Sequence, residues 1–242
     1  MLHHATGFCA AMWNPIARQL AMSHTVFALD ARGHGDSTHA TDDLVEVSQL
    51  VLERQRAATF VGVVGHSLGG IAALTAAVTA PNLFERLLLI EPVLIPKSGP
   101  GARKAGRTPF SLSARLRRAS FSSRDEARSA LVSQQPYASF GDQLMTDYLH
   151  HCWVDLAGGG VGLKCAPALE AKIYELGHTE VLERLSDLKA RTRIVAAEHG
   201  NFGEAYDALA DRFDFVKVAG GHTLPLEIPD EIARIARQWL SA

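Results

Sequence analysis

Residues 59–74 read TFVGVVGHSLGGIAAL. The apolar first part, residues 59–65, favours a buried strand, and the Ala-rich run over residues 68–80 favours a helix. Between them lies the pattern G-x-S-x-G, at residues 65–69. A strand, this pattern and a helix in direct succession predict a tight turn at the edge of a sheet.

Ser67 is the residue of this turn that carries chemistry. A serine in a sharp strand-to-helix turn projects its hydroxyl above the sheet, and Gly65 and Gly69 leave room for the tight backbone. The N–H of Leu68 lies at the start of the helix, where backbone donors and the helix dipole favour negative charge. Ser67 is therefore a candidate nucleophile, and Leu68 is a candidate donor to an oxygen bound beside it.

The rest of the chain continues the alternation of strand and helix. Nearly continuous apolar strands separated by helical patterns are typical of a parallel sheet covered on both faces. We therefore predict an α/β fold with a doubly wound, mostly parallel sheet. The predicted strands cover residues 25–29, 59–65, 86–90, 192–197 and 213–219, and the predicted helices cover residues 41–55, 68–80 and 228–240.

Residues 97–190 interrupt this alternation. They are richer in Arg and Ser and contain helical patterns without a clear buried strand. One helix is predicted to begin at a capping box formed by Ser123 and Glu126. Gly158 to Cys165 are predicted to form a turn or the tip of a small hairpin. We interpret residues 97–190 as an inserted helical subdomain, and residues 1–96 and 191–242 as the core.

The N-terminal part of this core is short. Doubly wound folds open with a strand, but only three residues precede His4. The first strand or strands are therefore expected to be missing or reduced. The strand at residues 25–29 would then lie near an uncovered edge of the sheet, which favours pairing with another chain. Lower stability than a complete relative, or a homodimer across this edge, is expected.

Composition and charge exclude several classes of function. The chain has 242 residues, 47% of them hydrophobic, and a formal net charge of −2. These values suit a globular protein and do not indicate nucleic acid or a membrane as a partner. Cys9, Cys152 and Cys165 match no metal motif and are expected to be small, buried or half-buried free thiols. No signal peptide or membrane-spanning run is visible, so a cytoplasmic protein is expected.

Three further stretches resemble the α/β-hydrolase superfamily. HHATGF, residues 3–8, is similar to the loop after the family's third strand. LDARGHGDS, residues 29–37, is similar to the signature after its fourth strand. AGGHTLPLEIP, residues 219–229, is similar to the terminal G-x-G-H-x-x-x-x-E-x-P segment. With the G-x-S-x-G turn, the resemblance covers essentially the whole chain outside residues 97–190.

The resemblance implies a role for several residues. His222 would be the general base for Ser67, and the backbone N–H groups of Thr6 and Leu68 would form an oxyanion hole. Residues 97–190 would be a helical cap after the sixth strand. The resemblance implies no metal and no organic cofactor. Other polar side chains in the matching stretches are expected to stabilise their loops rather than act in catalysis: His3, His4, His34 and Asp36.

The acid that should orient His222 is the open question. A resembling enzyme normally carries an Asp after the seventh strand, and alignment on Ala197 puts that position at Gly200. Glu198 lies two residues earlier. Some members take the acid from the end of the sixth strand, where Glu91 follows a run of aliphatic residues. Parallel strands end at the same edge of a sheet, so we favour Glu91, while Glu198 or no acid at all stays open.

These features predict a serine hydrolase that acts on a small carboxylic ester or a related acyl compound. Two alternatives remain: the same triad used for C–C bond hydrolysis or lyase chemistry, and a non-catalytic member of the family with a decayed site. The small-molecule pocket is expected between the sheet edge and residues 97–190. Tyr148, His151 and Trp153 are candidate lining residues, although packing within the insertion is the favoured interpretation for them. Trp13 is expected to lie in the core or in the pocket wall.

Overall fold

A computed structural model describes residues 1–37, 40–57, 60–177 and 179–241. In chain order its strands are β1 (Leu2–His3), β2 (Ala28–Leu29), β3 (Gly62–His66), β4 (Arg86–Ile90), β5 (Ser120–Phe121), β6 (Trp153–Asp155), β7 (Val161–Leu163), β8 (Arg191–His199) and β9 (Asp214–Gly221). Its α-helices are α1 (Asn14–Leu20), α2 (Leu44–Ala57), α3 (Leu68–Thr79), α4 (Pro109–Leu116), α5 (Arg124–Leu131), α6 (Asp142–His151), α7 (Pro167–Tyr174), α8 (Gly203–Asp207), α9 (Leu224–Glu227) and α10 (Pro229–Ser241). Short 3-10 helices cover Ala10–Trp13, Tyr137–Ser139 and Glu180–Asp187.

Six of these strands form one parallel sheet in the order β2-β1-β3-β4-β8-β9. In β4, Leu87 and Leu89 pack in a cluster with α3, whereas Leu88 and Ile90 pack in a second cluster with α1 and α10. All four side chains are fully buried, and burial of each contributes roughly 1.5–3 kcal/mol. Both faces of the sheet are therefore covered, and the predicted α/β fold is confirmed.

Most elements predicted for this core are present, with shifted ends. The strand predicted at residues 25–29 is reduced to β2, and the one predicted at 59–65 begins at Gly62; Thr59 lies outside the described residues. Strands β1 and β2 have only two residues each, in agreement with the reduced N-terminal strands that the sequence predicts. Strand β8 continues to His199, beyond its predicted end.

Between β4 and β8 the structure contains a small sheet, of which the sequence predicts only a turn or hairpin tip. Helices α4 to α7 occupy much of this segment, but β5, β7 and β6 form a small antiparallel sheet. The helical character predicted for this segment agrees with α4 to α7, and the small sheet accompanies these helices. These strands have two or three residues each, too few for an alternation of polar and apolar side chains to show. Strands β6 and β7 do form the predicted hairpin, with Gly158 to Gly160 near its tip.

The start of α5 differs in part from its prediction. The Ser123 side chain accepts a hydrogen bond from the N–H of Glu126 at 3.1 Å, as expected. The Glu126 carboxylate, however, accepts from the N–H and hydroxyl of Ser122, not from the N–H of Ser123. The reciprocal half of the predicted capping box is therefore wrong. A complete capping box begins α4 instead, between Thr108 and Ser111.

The structure shows the state of the three cysteines and the length and apolar character of the described helices. Cys9, Cys152 and Cys165 are buried free thiols, as predicted, and burial raises the pKa of Cys165 to about 12. Among the helices of the described ranges, none is both long and apolar enough to cross a bilayer.

Candidate active site

Ser67 lies in the turn between β3 and α3, in a strained backbone conformation. Its φ of 52° falls in the left-handed region, which costs a residue with a side chain about 1–3 kcal/mol. The turn is tight enough that a Cβ on Gly65 would lie 2.8 Å from the Cα of Gly70. Gly65 is therefore required by the close approach of β3 and α3, and the predicted strand, turn and helix are confirmed.

His222 lies between Ser67 and Glu91 and is hydrogen bonded to both. Its Nε2 is 3.0 Å from Ser67 Oγ, and its Nδ1 is 3.1 Å from Glu91 Oε2. A carboxylate can only accept, so Nδ1 carries the proton of the neutral ring and Nε2 is free to accept from the Ser67 hydroxyl. This is the tautomer that a general base acting on Ser67 requires.

Glu91 follows β4 directly, and its carboxylate is fully buried. Besides His222, it accepts hydrogen bonds from the N–H groups of Ala197 at 2.8 Å and Asn201 at 3.3 Å. Hydrogen bonds of this kind offset the cost of burying a charge. The Glu91 backbone also has a positive φ, of 44°. A buried carboxylate held in a strained conformation at the end of a strand has its partner in His222.

The other acidic residues near β8 are not in contact with His222. A Cβ on Gly200, the position where an Asp was expected, would lie 2.6 Å from Glu91 Oε1. Glu198 is exposed, and its side chain makes no hydrogen bond or ion pair to any described residue. Glu204 accepts a bond from the N–H of Gly101. Among the described acidic residues, the structure thus brings Glu91 to His222, and Gly200 leaves the room for it.

The loop after β1 lies against the N-terminal end of α3. The N–H of Gly69 donates to the carbonyl of His4 at 3.1 Å, which places residues 4–6 beside the turn that contains Ser67. Leu68 is the first residue of α3, where backbone N–H groups have no intrahelical acceptor. Thr6 is buried. Their joint role as oxyanion donors stays a prediction.

Several histidines near the site serve the loops, as expected. His4 Nδ1 donates to the carbonyl of Ala5 at 2.7 Å, and His4 Nε2 accepts from the N–H of Ala31 at 2.9 Å. His4 therefore ties the loop after β1 to the loop after β2. Burial lowers the pKa of His4 well below its usual value and that of His3 to about 4, so both rings are neutral near pH 7.

Two residues to which the sequence assigns no function, His66 and Glu227, are hydrogen bonded to the backbone around His222. The carbonyl of His222 accepts a hydrogen bond from His66 Nε2 at 2.8 Å. The Glu227 carboxylate accepts from the N–H groups of Gly221 and Thr223, which flank His222. The only signal for Glu227 is its place in the terminal segment G-x-G-H-x-x-x-x-E-x-P. His66 is the variable residue before the serine, and nothing local marks it.

The aromatic residues considered as pocket lining are packed in the interior. Tyr148 and Trp153 are fully buried and form a cluster with Phe8 and Phe121. His151 is exposed, and Trp13 is buried against α10 and the sheet. The favoured interpretation as packing residues is therefore confirmed for Tyr148 and Trp153, and Trp13 lies in the core, but the same interpretation is wrong for His151, which is exposed.

A small cavity lies beside the loop after β1. Its volume is about 10 Å³, room for one water molecule at most. The cavity is lined by residues of this loop, of the 3-10 helix that follows it, of β3 and of the segment after His222: His4, Ala5, Phe8, Met12, Trp13, His66, Pro225 and Leu226. In the described ranges no three His, Cys, Asp or Glu side chains come together as metal ligands would.

A family model described as "Alpha/beta hydrolase family" matches residues 1–235. The chain belongs to the alpha/beta hydrolase family. The resemblance inferred from its motifs is thereby confirmed.

Curated members of the family match this alpha/beta hydrolase over limited stretches. It is 51% identical over 49 residues to the "Peroxisomal membrane protein LPX1" of Saccharomyces cerevisiae, which is 20% of this chain and 13% of that protein. It is 32% identical over 92 residues to the "Pimeloyl-[acyl-carrier protein] methyl ester esterase" of Aliivibrio salmonicida, which is 37% of this chain and 34% of that enzyme. The matches thus span about a third or less of these relatives.

Solved structures of other alpha/beta hydrolases superpose over nearly the whole chain. "E-2-(Acetamidomethylene)succinate Hydrolase" gives a TM-score of 0.78 at 20% identity and covers 100% of this chain and 90% of its own. Lpx1 from Saccharomyces cerevisiae gives a TM-score of 0.77 at 19% identity and covers 98% and 74%. At such identities the likeness shows the fold alone.

Proposed function

We propose that this alpha/beta hydrolase is a serine hydrolase of small carboxylic esters or related acyl compounds. Ser67 is the nucleophile, His222 the general base and Glu91 the acid that orients it. The observation that carries the proposal is the position of the His222 ring, with Nε2 3.0 Å from Ser67 Oγ and Nδ1 3.1 Å from Glu91 Oε2.

The reaction proceeds through an acyl-enzyme. Ser67 Oγ attacks the ester carbonyl while His222 Nε2 takes its proton, and the buried Glu91 carboxylate stabilises the imidazolium. The N–H groups of Thr6 and Leu68 hold the oxyanion of the tetrahedral intermediate. The intermediate expels the alcohol, which receives the proton from His222. Water, activated by the same ring, then attacks the acyl group and releases the acid and free Ser67.

We also propose that residues 97–190 act as a cap over this edge of the sheet. In support, Phe8, in the loop after β1, packs edge-on against Tyr148 of α6 at 6.0 Å between ring centroids. The substrate would then enter between this segment and the ends of the parallel strands, where open α/β sheets bind their ligands. A small-molecule substrate is the proposed partner.

The relatives support ester chemistry in particular. One relative that matches at 32% identity is named as a methyl ester esterase. A serine nucleophile with a histidine base suits attack on an ester carbonyl, because the acyl-serine that forms is itself an ester that water can hydrolyse.

Turnover of p-nitrophenyl esters of increasing acyl length tests this proposal, with Ser67→Ala as the matched control. We expect release of one carboxylic acid and one alcohol per ester, and loss of turnover in Ser67→Ala to about the uncatalysed level. Equal turnover by Ser67→Ala, or products of carbon–carbon cleavage without ester hydrolysis on a panel of candidate substrates, would overturn it.

A further inference from the structure

The Glu227 carboxylate is bonded to both neighbours of His222 in the chain. It accepts from the N–H of Gly221 at 2.7 Å, from the N–H of Thr223 at 3.1 Å and from the Thr223 hydroxyl at 2.5 Å. All three donors lie within one residue of His222. Since the carboxylate is charged, these hydrogen bonds are stronger than those between neutral groups. They close residues 221–227 into a compact turn.

His66 holds the same segment from the other side. Its Nε2 lies 2.8 Å from the carbonyl of His222. A carbonyl only accepts, so Nε2 carries the proton of the ring. Burial, and next the nearby His222, lower the pKa of His66 to about 3. His66 is therefore a neutral donor near pH 7, and it adds no positive charge beside an imidazolium that forms at His222, 5.3 Å away between ring centroids.

Together these contacts hold the backbone around His222 at three atoms, namely the N–H groups of Gly221 and Thr223 and the carbonyl of His222. The preceding N–H and the following N–H are held by Glu227, and the carbonyl of His222 itself is held by His66. The His222 side chain is a quarter exposed. Packing against neighbouring side chains therefore does not hold the whole ring. Its two ring nitrogens must nevertheless meet Ser67 and Glu91 at the same time, and an error of about 1 Å in such a geometry costs about 100-fold in rate.

We propose that Glu227 and His66 are positioning residues that hold the His222 backbone and thereby keep its ring between Ser67 and Glu91. This inference rests on the proposed function, because it gives both residues a part in that reaction. Neither residue touches the reacting atoms. Each acts through His222, Glu227 as a charged acceptor and His66 as a neutral donor.

The first test measures the labelling of Ser67 by a fluorophosphonate, separated into the maximal rate kinact and the binding constant KI. Glu227→Ala should lower kinact by about 10- to 100-fold and leave KI nearly unchanged, because the binding surface is intact. Glu227→Gln keeps one oxygen acceptor and should recover part of the loss. The matched control is Glu231→Ala, which removes an exposed carboxylate paired with Arg234 on α10 and should label like the wild type.

Two further variants test His66 as the donor to the His222 carbonyl. His66→Leu removes the hydrogen bond to the His222 carbonyl and should lower kinact in the same way. His66→Gln retains an N–H donor and should recover part of the rate. Because both residues hold the same backbone, the losses in Glu227→Ala and His66→Leu should combine to less than their product in the double variant.

Hydrogen exchange of residues 219–229 provides a readout that does not depend on catalysis. In Glu227→Ala the amides of Gly221 and Thr223 lose their acceptor and should exchange faster than in the wild type or in Glu231→Ala. If the wild type exchanges normally but Ser67 is never labelled, the proposed function fails while exchange still decides whether Glu227 holds this segment.

Two results would overturn the inference. One is unchanged exchange in Glu227→Ala. The other is a kinact that stays at the wild-type value in Glu227→Ala and His66→Leu, or that falls only in proportion to the folded fraction measured by circular dichroism, with no recovery in the Gln variants.

Discussion

Glu91 and Gly200 occupy one space at the ends of β4 and β8. A side chain at residue 200 would collide with the Glu91 carboxylate, since even a Cβ there would lie 2.6 Å from Oε1. Glu91 in turn is held by the N–H groups of Ala197 and Asn201, on both sides of Gly200. The acid on β4 and the glycine after β8 are therefore one arrangement, and a carboxylate can stand at only one of the two positions.

Because the two side chains share one space, substitutions at residues 91 and 200 should depend on each other. Gly200→Asp alone should reduce turnover and stability, because it forces a second carboxylate against a buried one. Glu91→Gly alone should also reduce turnover. The double variant should be faster than the two single losses predict, with a coupling free energy of roughly 0.5–3 kcal/mol, measured from kcat/KM in a double-mutant cycle. Strictly additive losses would contradict this account.

Substitution of Glu91 and of Glu198 shows which carboxylate orients His222. Glu91→Gln keeps the shape of the side chain but removes its charge, so the imidazolium of His222 loses its stabilisation. We expect kcat to fall by about 10²- to 10⁴-fold. Glu198→Gln is the matched control, since Glu198 is exposed, and it should turn over near the wild-type rate. The opposite ranking of the two variants would transfer the role to Glu198.

Ser67 and His222 could be predicted from the sequence because short local patterns surround them, a strand, turn and helix for one and a glycine-rich loop for the other. The choice of Glu91 over Glu198 depends on the pairing of β4 with β8 and on the positive φ of Glu91. Neither is encoded in a neighbouring residue. The contacts of His66 with the His222 segment depend in the same way on tertiary structure.

At the scale of elements, a buried ion pair joins helices α4, α6 and α7. Arg117, at the end of α4, donates to Glu170 of α7 at 2.6 Å and to the Tyr148 hydroxyl of α6 at 3.0 Å. It also donates to the Tyr137 hydroxyl. Both charged side chains are largely buried, 18% exposed for Arg117 and 8% for Glu170. This cluster connects the elements of the segment that we propose as a cap.

Replacement of Arg117 by an uncharged residue should lower the free energy of unfolding. Arg117→Met leaves the buried Glu170 carboxylate without its ion-pair partner, and we expect the free energy of unfolding to fall by about 3–5 kcal/mol, measured by urea denaturation. The matched control is Arg234→Met, which breaks an exposed pair with Glu231 and should cost about 1 kcal/mol or less. Equal, small losses in both variants would show that the buried pair does not hold the segment together.

The prediction of elements succeeded where an element buries a long apolar face. Strand β4 and helix α3 are such elements, and both lie within a few residues of their predicted bounds. Strands β5, β6 and β7 are too short to show a period, and they form because their backbones find partners within the segment. Their existence depends on the fold around them.

At the scale of the whole molecule, one edge of the sheet is β2, with only two paired residues. An exposed apolar side chain lies directly before this strand, since Phe27 is 40% exposed. A cavity of about 310 Å³, lined in part by Val26 and Phe60, lies next to it. An apolar surface beside a short edge strand favours association with another chain.

We therefore predict a homodimer that forms across the β2 edge. Light scattering coupled to size exclusion should give a mass that rises toward twice the chain mass with concentration. Phe27→Lys should shift the equilibrium toward the monomer, whereas Val132→Lys, at an exposed apolar position directly after α5, should not. A single monomeric mass at all concentrations would contradict the prediction.

If the fold brings His222 and Glu91 to Ser67 as we propose, Ser67 is an activated nucleophile at the edge of the sheet. Intact-mass analysis of the folded protein after reaction with a fluorophosphonate, followed by peptide mapping, tests it most directly. We expect one adduct per chain, located on Ser67, and none in Ser67→Ala. An unlabelled chain that circular dichroism shows to be folded, or an adduct on any other residue, would contradict it.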